Sequence, residues 1–197
     1  MSVQKEEELV LVRRCRRGDK DAFARLMQKY ERGIYNYTYR MLGSEVEAED
    51  LTQDVFVAAF RNMRGFRGES RFSTWLYRIA LNQTRNRIKY LSRRSLFGRW
   101  AGTRDSGKGA TAERAETIAD GAPSPEQWTI AKELAGQVQQ CLNRLPHQAR
   151  QILVLRDVQG LSYQELGEIL SLNPGTVKSR LHRARIALQK HLANVLE

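Results

Sequence analysis

The sequence predicts an all-α protein in which two helical domains are joined by a flexible linker. Apolar residues recur three or four positions apart along most of the 197-residue chain, which is the spacing of amphipathic helices rather than of strands. The stretch 93–127 lacks this spacing, is rich in Gly, Ser, Ala and charged residues, and contains two prolines, as linkers do. We therefore expect domains over 1–92 and 128–197. A hydrophobic content of 41% is enough for one or two modest cores.

The charge balance predicts a polyanionic partner. The chain has 33 Lys and Arg against 22 Asp and Glu, a net charge of +11, with a pI near 10. Nucleic acid and an acidic membrane surface both fit such a charge.

Cysteine usage and hydropathy exclude several classes of protein. Cys15 and Cys141 lie far apart, without a C-x-x-C pattern or a His partner, so neither a disulfide framework nor a zinc module is expected. No apolar stretch approaches the roughly 20 residues of a membrane span. The first fifteen residues are acidic before a short apolar run and basic after it, the reverse of a secretory signal. We expect a cytoplasmic protein.

Two helices are expected before residue 63. The first has an apolar face at helical spacing and stops at Gly43; this face comprises Phe23, Leu26, Met27, Tyr30, Ile34 and Tyr37. Ser44 then starts a second helix, with Glu47 three residues on, as in a capping box. The inner stripe of the second helix is predicted to be Val46, Leu51, Val55, Ala58 and Ala59.

A third helix is expected from Ser73 or Thr74 to Leu91, after the loop "RGFRGESR". Flat rings and cations are interleaved here: Phe66, Phe72, Trp75 and Tyr77 lie among Arg67, Arg71, Arg78, Arg85 and Arg87. Helical spacing brings one set to a common face: Trp75, Arg78, Asn82, Arg85 and Lys89.

This face and loop suit a nucleic-acid strand whose bases are unpaired. Rings can stack on such bases, at roughly 1–3 kcal/mol per base, while cations neutralise phosphates. The polar loop can form hydrogen bonds with the edge of an extruded base. Phe72 and Tyr77 fit the core better than a contact surface, and for Trp75 both interpretations stay open.

The expected linker is polarised in charge. Between Arg85 and Lys108 the chain has eight Lys or Arg and one acid, Asp105, whereas acids outnumber bases from Glu113 to Glu126. Two interpretations stay open: a solvated spacer, or a segment that threads a nucleic-acid channel.

The second domain begins with two further helices. The stripe of the first comprises Trp128, Leu134, Val138, Leu142 and Leu145. Pro146 breaks this helix and favours the start of the next, which Gly160 closes.

A helix-turn-helix follows. Ser162 can cap the short helix "YQELGEIL", whose inward residues are Leu166, Ile169 and Leu170. After the turn "SLNPG", Asn173 can cap a last helix with Pro174 at its first position. Its buried stripe is expected to be Val177, Leu181, Ala184 and Leu188. Polar and basic side chains then point outward, where Lys or Arg can bond guanine in the major groove.

Three ordered motifs carry a family resemblance. "AEDLTQDVF", "FRGESRFSTWLYRIALN" and "LSYQELGEILSLNPGTVKSRLHRARIAL" resemble the bacterial sigma factors of the extracytoplasmic-function group. The resemblance implies that the first domain binds the β' subunit of core RNA polymerase and captures the melted minus-ten element. The second domain would read the duplex minus-35 element, and the linker would run through the active-site cleft and the RNA exit path of the polymerase. Both the β' and the β subunit of core polymerase are thus expected partners. An anti-sigma factor is an expected further partner.

The resemblance also implies site residues. Those facing the polymerase are Asp50, Gln53 and Asp54. Those that would contact the minus-ten strand come from the loop and from the face of the third helix: Phe66, Arg67, Gly68, Glu69, Ser70, Arg71, Trp75, Arg78, Asn82 and Arg85. Those for the minus-35 element are Thr176, Lys178, Ser179, Arg180, His182 and Arg183. His182 stands where many members carry a bulky aromatic residue or Arg, so base preference there is open.

Two other functions remain as alternatives. A stand-alone helix-turn-helix regulator would bind duplex DNA, as a dimer, without polymerase. A nucleic-acid enzyme, such as a recombinase, would need a nucleophile and helper groups. The chain has no phosphate-binding G-x-x-x-x-G-K-[ST] loop, no metal-ligand spacing around its three His, and no Ser or Cys beside an evident base. We therefore expect a binding protein that uses no cofactor, metal or small-molecule substrate.

Overall fold

The computed structural model describes residues 3–100 and 125–196, and these residues are helical throughout, apart from short turns and loops. The α-helices are α1 Val3–Arg16, α2 Lys20–Leu42, α3 Glu45–Asn62, α4 Phe72–Trp100, α5 Pro125–Arg144, α6 His147–Leu153, α7 Tyr163–Leu170 and α8 Pro174–Leu196. A 3₁₀ turn, Met63–Gly65, follows α3, and a π-helical turn, Val154–Val158, follows α6. The predicted all-α class is confirmed.

The expected linker is shorter in the structure than in the prediction. Helix α4 continues past Leu91 to Trp100, and α5 already begins at Pro125. The added segment "SRRSLFGRW" holds no proline, so nothing in its backbone chemistry stops the helix at the change in composition. Most of the predicted linker, with its charge polarity, lies outside the described residues.

Side-chain caps set the boundaries of α2 and α3. The Asp19 carboxylate accepts a hydrogen bond from the Ala22 N–H at 3.0 Å and so begins α2. Gly43 ends α2 with φ +74°, a left-handed conformation that a Cβ disfavours. The Ser44 hydroxyl accepts from the Glu47 N–H at 3.5 Å. Both the predicted stop and the predicted cap are confirmed.

Helices α2, α3 and α4 pack together around the predicted apolar stripes. From the first two stripes, the buried residues are Phe23, Leu26, Ile34, Tyr37, Leu51, Val55 and Ala59. The prediction for Val46 is wrong, since this side chain is 65% exposed. Val46 lies five positions before Leu51, off the three-to-four spacing, and Ala48 takes the inner position instead.

Helix α1 is an element that the sequence patterns did not predict. It packs against α2 and buries Val12 and Cys15. Burial raises the pKa of the Cys15 thiol to about 11, which makes it a poor nucleophile. Both cysteines are buried and free.

Helix α5 joins the core only through its second half. Leu142 and Leu145 are buried as predicted, but Leu134 is 50% exposed, which contradicts its place in the stripe. The side chains from 129 to 136 are all exposed, because α5 meets α2 and α8 only farther along. Pro146 starts α6, and Gly160, at φ +70°, closes the following turn.

The helix-turn-helix has the predicted caps. Ser162 and Glu165 form a complete capping box at the start of α7, and Asn173 Oδ1 accepts from the Thr176 N–H at 2.8 Å at the start of α8. The residues that α8 buries against α6 and α7 are Val177, Leu181 and Ala184, with Leu188 partly buried.

The two expected domains share one apolar core. Helices α2 and α4 pack directly against α5, α6 and α7, and we call this contact the seam. At its centre the rings of Tyr37 and Tyr77 meet edge to face at 5.9 Å. Gln151 Nε2 donates to the Tyr37 hydroxyl at 3.4 Å, and the Tyr77 hydroxyl donates to Gln159 Oε1 at 2.7 Å. Both hydroxyls are thus satisfied from across the seam.

Two arginines extend the seam at one end. Arg150 donates to the Met41 carbonyl at 2.8 Å and to the Asn143 carbonyl at 2.6 Å. Arg40 donates to Gln139 Oε1 at 3.0 Å. The bonds from Arg150 to Met41 and from Arg40 to Gln139 join residues about a hundred positions apart, so no local sequence pattern could have predicted them.

Replacing Gly43 by Ala is expected to lower the free energy of unfolding by about 1–2 kcal/mol, the usual cost of a left-handed residue with a Cβ. The new Cβ would also lie 2.8 Å from Asn143 Nδ2 at the seam. Urea unfolding monitored by circular dichroism measures the change. The control is Gly136→Ala on α5, where a Cβ meets no atom within 4 Å and Ala should stabilise the helix. Equal stability of Gly43→Ala and wild type would show that neither the left-handed backbone nor the close approach of Asn143 requires Gly at position 43.

Candidate nucleic-acid interface

The first turns of α8 form an exposed basic face, which we define as Lys178, Ser179, Arg180, His182 and Arg183. Because the opposite side of α8 is buried, these side chains are held outward on a rigid helix. Thr176 is partly buried, and its carbonyl accepts from the Ser179 hydroxyl at 3.1 Å. The basic face thus projects from the start of the second helix of the helix-turn-helix, where a recognition helix meets base edges.

A groove borders this face on one side. It has a volume of about 390 Å³ and is lined by Arg180 and Arg183 together with apolar side chains of α6 and α8, including Ile152 and Ala184. Two of the arginines therefore extend along the groove that separates α8 from the start of α6.

An aromatic cluster supports the loop before α4. The ring of Phe66 lies 5.0 Å from Trp75 and 6.1 Å from Phe72, and Phe72 lies 5.7 Å from Trp75. Phe72 and Tyr77 are buried, as interpreted from the sequence. Phe66 is also buried, with 5% exposure, so its ring supports the loop and does not present a face to a base. Trp75 is only partly buried.

The loop itself is polar and exposed. Gly68 has φ +79°, which lets the chain reverse direction. Arg67 and Glu69 are more than three-quarters exposed and form a 3.9 Å ion pair, and Ser70 donates only a 3.4 Å hydrogen bond to the Arg71 carbonyl. The side chains of Arg67, Glu69 and Ser70 therefore have hydrogen-bonding groups that a ligand can reach.

A cleft of about 540 Å³ separates this loop from α1 and α2. The cations that line it are Arg13, Arg16, Lys29, Arg67 and Arg71. Within the cleft, Glu8 accepts hydrogen bonds from Lys29 and, at 2.6 Å, from the Tyr30 hydroxyl. The contribution of α1 to this cleft was not predicted from the sequence, although the run "RRCRR" carries its positive charge.

Two of the predicted minus-ten cations contact α7. Arg71 Nη1 lies 3.1 Å from Glu165 Oε1, and Arg78 Nη2 donates to the Glu168 carbonyl at 2.8 Å. Burial opposes ionisation of Glu165, but hydrogen bonds from Ser162 and the charge of Arg71 outweigh it and lower its pKa. Asn82 and Arg85, farther along α4, are exposed.

An acidic face lies on α3. Asp50, Gln53 and Asp54 are all exposed and share one side of the helix. Arg87, which the sequence grouped with cations for nucleic acid, instead contacts Glu47 Oε2 at 2.7 Å and Asp54 Oδ2 at 3.1 Å. Two residues after Arg85, the helix has turned by about 200°, so Arg87 faces α3.

Over 3–100 and 125–196, the structure contains no cluster of three or more His, Cys, Asp and Glu residues able to hold a metal ion. None of the helices in these ranges has the length and hydropathy to cross a membrane.

Comparison with known proteins identifies both halves of the chain. The model of sigma-70 region 2 matches residues 26–94, and the model of sigma-70 region 4 matches residues 135–188. The extracytoplasmic-function (ECF) RNA polymerase sigma factor SigW of Bacillus subtilis is 39% identical over 93% of this chain and 96% of its own.

Two solved structures share the fold. The structure of CnrH in complex with the cytosolic domain of CnrY has a TM-score of 0.70 at 23% identity, covering 95% of this chain and 98% of that one. The sigma factor RpoE of Bartonella quintana, in complex with the anti-sigma factor NepR, has a TM-score of 0.57 at 24% identity, covering 87% and 96%. On the sequence matches, this chain belongs to the ECF sigma factors of the sigma-70 family.

Proposed function

We propose that this sigma factor binds core RNA polymerase, recognises the minus-35 and minus-ten promoter elements and promotes DNA melting. The observation that carries the proposal is that one chain of this family presents two different nucleic-acid surfaces. One is a rigid basic helix face, and the other is a polar loop beside a cationic cleft. The protein acts by binding, without catalysis of its own, in the cytoplasm.

The α8 face is suited to duplex DNA. A helix whose buried side fixes its orientation can place its first exposed residues against base edges in the major groove. Lys178 and Arg183 can form paired or single hydrogen bonds to guanine, each good pair adding roughly 1–3 kcal/mol of discrimination. Arg180, beside the groove towards α6, is suited to phosphate. His182 offers one donor and one acceptor when neutral.

The loop and α4 are suited to a single strand. The cleft between the loop and α1 brings cations next to exposed backbone and side-chain hydrogen-bonding groups, as an extruded base and its phosphates require. Trp75 is partly exposed at the edge of the aromatic cluster and can add a stacking surface. Asn82 and Arg85 continue the same face along α4.

The acidic face of α3 is the proposed contact with the polymerase β' subunit. An anti-sigma factor is a further proposed partner of this chain, since the sigma factor RpoE, which shares its fold, was solved in complex with the anti-sigma factor NepR. We keep the proposed division into an N-terminal domain, a linker and a C-terminal domain, which the sequence placed at 1–92, 93–127 and 128–197. Helix α4 extends the first domain to Trp100, and α5 begins the second at Pro125.

The proposal requires the seam to open. Arg71 and Arg78 cannot bind a DNA strand while they contact Glu165 and Glu168 of α7. In addition, two promoter elements far apart along the DNA cannot be reached from two helical units packed on one core. We therefore infer that the described arrangement is a closed form, which the free chain adopts.

Run-off transcription with purified core polymerase and a promoter library tests the function directly. Core polymerase with this chain should start RNA synthesis at a subset of promoters, and core alone should not. A two-fold symmetric footprint on duplex DNA without polymerase, combined with no initiation, would contradict the proposal and support a stand-alone regulator.

Replacing Arg183 by Ala should reduce initiation 5- to 100-fold, roughly the range for 1–3 kcal/mol, at promoters with guanine at the contacted minus-35 position. Promoters with another base there should be much less affected. Lys190→Ala, an exposed cation farther along α8, is the control for net charge. An equal loss at every promoter would show that Arg183 does not read a base.

Replacing Asn82 by Ala should impair open-complex formation by about fivefold, since one lost hydrogen bond to a base costs about 1 kcal/mol, and leave closed-complex binding intact. Permanganate reactivity of unpaired thymines measures open-complex formation, and footprinting at low temperature measures closed-complex binding. The control is Gln83→Ala, the next amide on α4, about 100° around the helix. Unchanged permanganate reactivity in Asn82→Ala would remove Asn82 from the site.

A further inference from the structure

Arg87 joins the helix that carries the proposed minus-ten residues to the helix that carries the proposed polymerase residues. Its side chain is 22% exposed, and two guanidinium nitrogens contact two carboxylates: Nη1 on Glu47 at 2.7 Å and Nη2 on Asp54 at 3.1 Å. Glu47 and Asp54 are seven residues apart, about 10 Å along α3. Only a branched cation that lies between them can hold both, which is a property of Arg and not of Lys.

Helix α3 is crowded with negative charge. Its acids are Glu45, Glu47, Glu49, Asp50 and Asp54, and no Lys or Arg occurs on the helix before Arg61. In the described part of the chain, the ion pairs made by these acids both involve Arg87. Arg87 therefore offsets the mutual repulsion of the carboxylates and also fixes where one of them sits.

The side chain of Asp54 remains 57% exposed although it is held by Arg87. The hydrogen bond from Arg87 engages Oδ2, which leaves Oδ1 as an acceptor for a partner's cation. A carboxylate held in one rotamer loses less conformational entropy on binding than a mobile one. Helices α3 and α4 also pack through their apolar faces, so the Arg87–Asp54 ion pair, which lies on the exposed side, contributes little to holding them together.

We propose that Arg87 is a positioning residue for the polymerase interface, which holds the Asp54 carboxylate in the orientation that core RNA polymerase binds. The inference rests on the proposed role of Asp54 in that interface. A positioning role differs from a competing role, in which Arg87 masks Asp54 and must be displaced before polymerase binds. The two roles predict opposite effects of removing Arg87 on the affinity for core polymerase: loss of a positioning residue weakens binding, whereas loss of a masking residue strengthens it.

A double-mutant cycle tests the proposal. The affinity of full-length protein for core polymerase is measured by fluorescence anisotropy at fixed salt for wild type, Arg87→Met, Asp54→Asn and the double variant. Met keeps an unbranched stem and removes the guanidinium. We expect about tenfold weaker binding for Asp54→Asn and about fivefold for Arg87→Met. Because Arg87 acts through Asp54, the double variant should be about tenfold weaker and not the roughly fiftyfold of independent effects.

Two further variants serve as controls. Arg87→Lys can reach one carboxylate but not both, so its affinity for core should lie between those of wild type and Arg87→Met. Arg14→Met removes a comparable exposed ion pair, Arg14 Nη2 to Asp19 at 2.7 Å, far from α3 in sequence, and should leave core binding unchanged. Thermal unfolding of each variant verifies that it is folded.

The outcomes separate the inference from the function on which it rests. Unchanged binding of Asp54→Asn would overturn the proposed role of Asp54, and this inference with it. If Asp54→Asn weakens binding but Arg87→Met leaves it unchanged or tightens it, the positioning role is overturned and the function stands. A double variant near fiftyfold weaker would likewise overturn it, because the two residues would then act independently.

Discussion

The seam between α2, α4 and the C-terminal helices is the contact on which the described structure depends. Its centre is polar as well as apolar: the hydroxyls of Tyr37 and Tyr77 are satisfied by Gln151 and Gln159 from across the contact. Hydrogen bonds of this kind replace bonds to water, so each contributes only about 1 kcal/mol net. A seam with such a centre can close specifically, because its donors and acceptors must match, and can still open when a partner offers better contacts.

Helix α7 connects this seam to promoter recognition. As the first helix of the helix-turn-helix, it supports α8 and hence the basic face. As a partner of Arg71 and Arg78, it covers part of the proposed single-strand surface. Both proposed DNA surfaces therefore depend on where α7 lies. Separation of α7 from α4 would release Arg71 and Arg78 on the proposed single-strand surface. The basic face of α8 would keep its internal geometry, since the helix caps at Ser162 and Asn173 are local.

Local features were predictable from the sequence, and contacts over long sequence distances were not. Gly43 and Asn173 set helix ends through backbone and side-chain chemistry within a few residues, so their patterns were sufficient. Phe66 was predicted to contact a DNA strand, but the rings of Phe66, Phe72 and Trp75 pack against one another. Composition alone cannot distinguish a ring that contacts DNA from one that lies in the core. Arg87 was grouped with its basic neighbours, while its position on the helix and the distant acids of α3 determine its partners. Leu134 satisfied the helical spacing, but it lies on a part of α5 that no helix among the described residues covers.

The central claim is that one chain, closed when free, opens so that its two surfaces bind two promoter elements at once. Fluorescence energy transfer between two dyes measures this opening most directly. One dye is attached at Glu31→Cys on α2 and the other at Gln189→Cys on α8, and both positions are exposed. A reference pair, Glu31→Cys and Asn86→Cys, joins α2 to α4. The account predicts that transfer for the first pair falls when core polymerase and promoter DNA are added, while the reference pair does not change. Equal transfer for the first pair in the free protein and in a transcriptionally active promoter complex would contradict it.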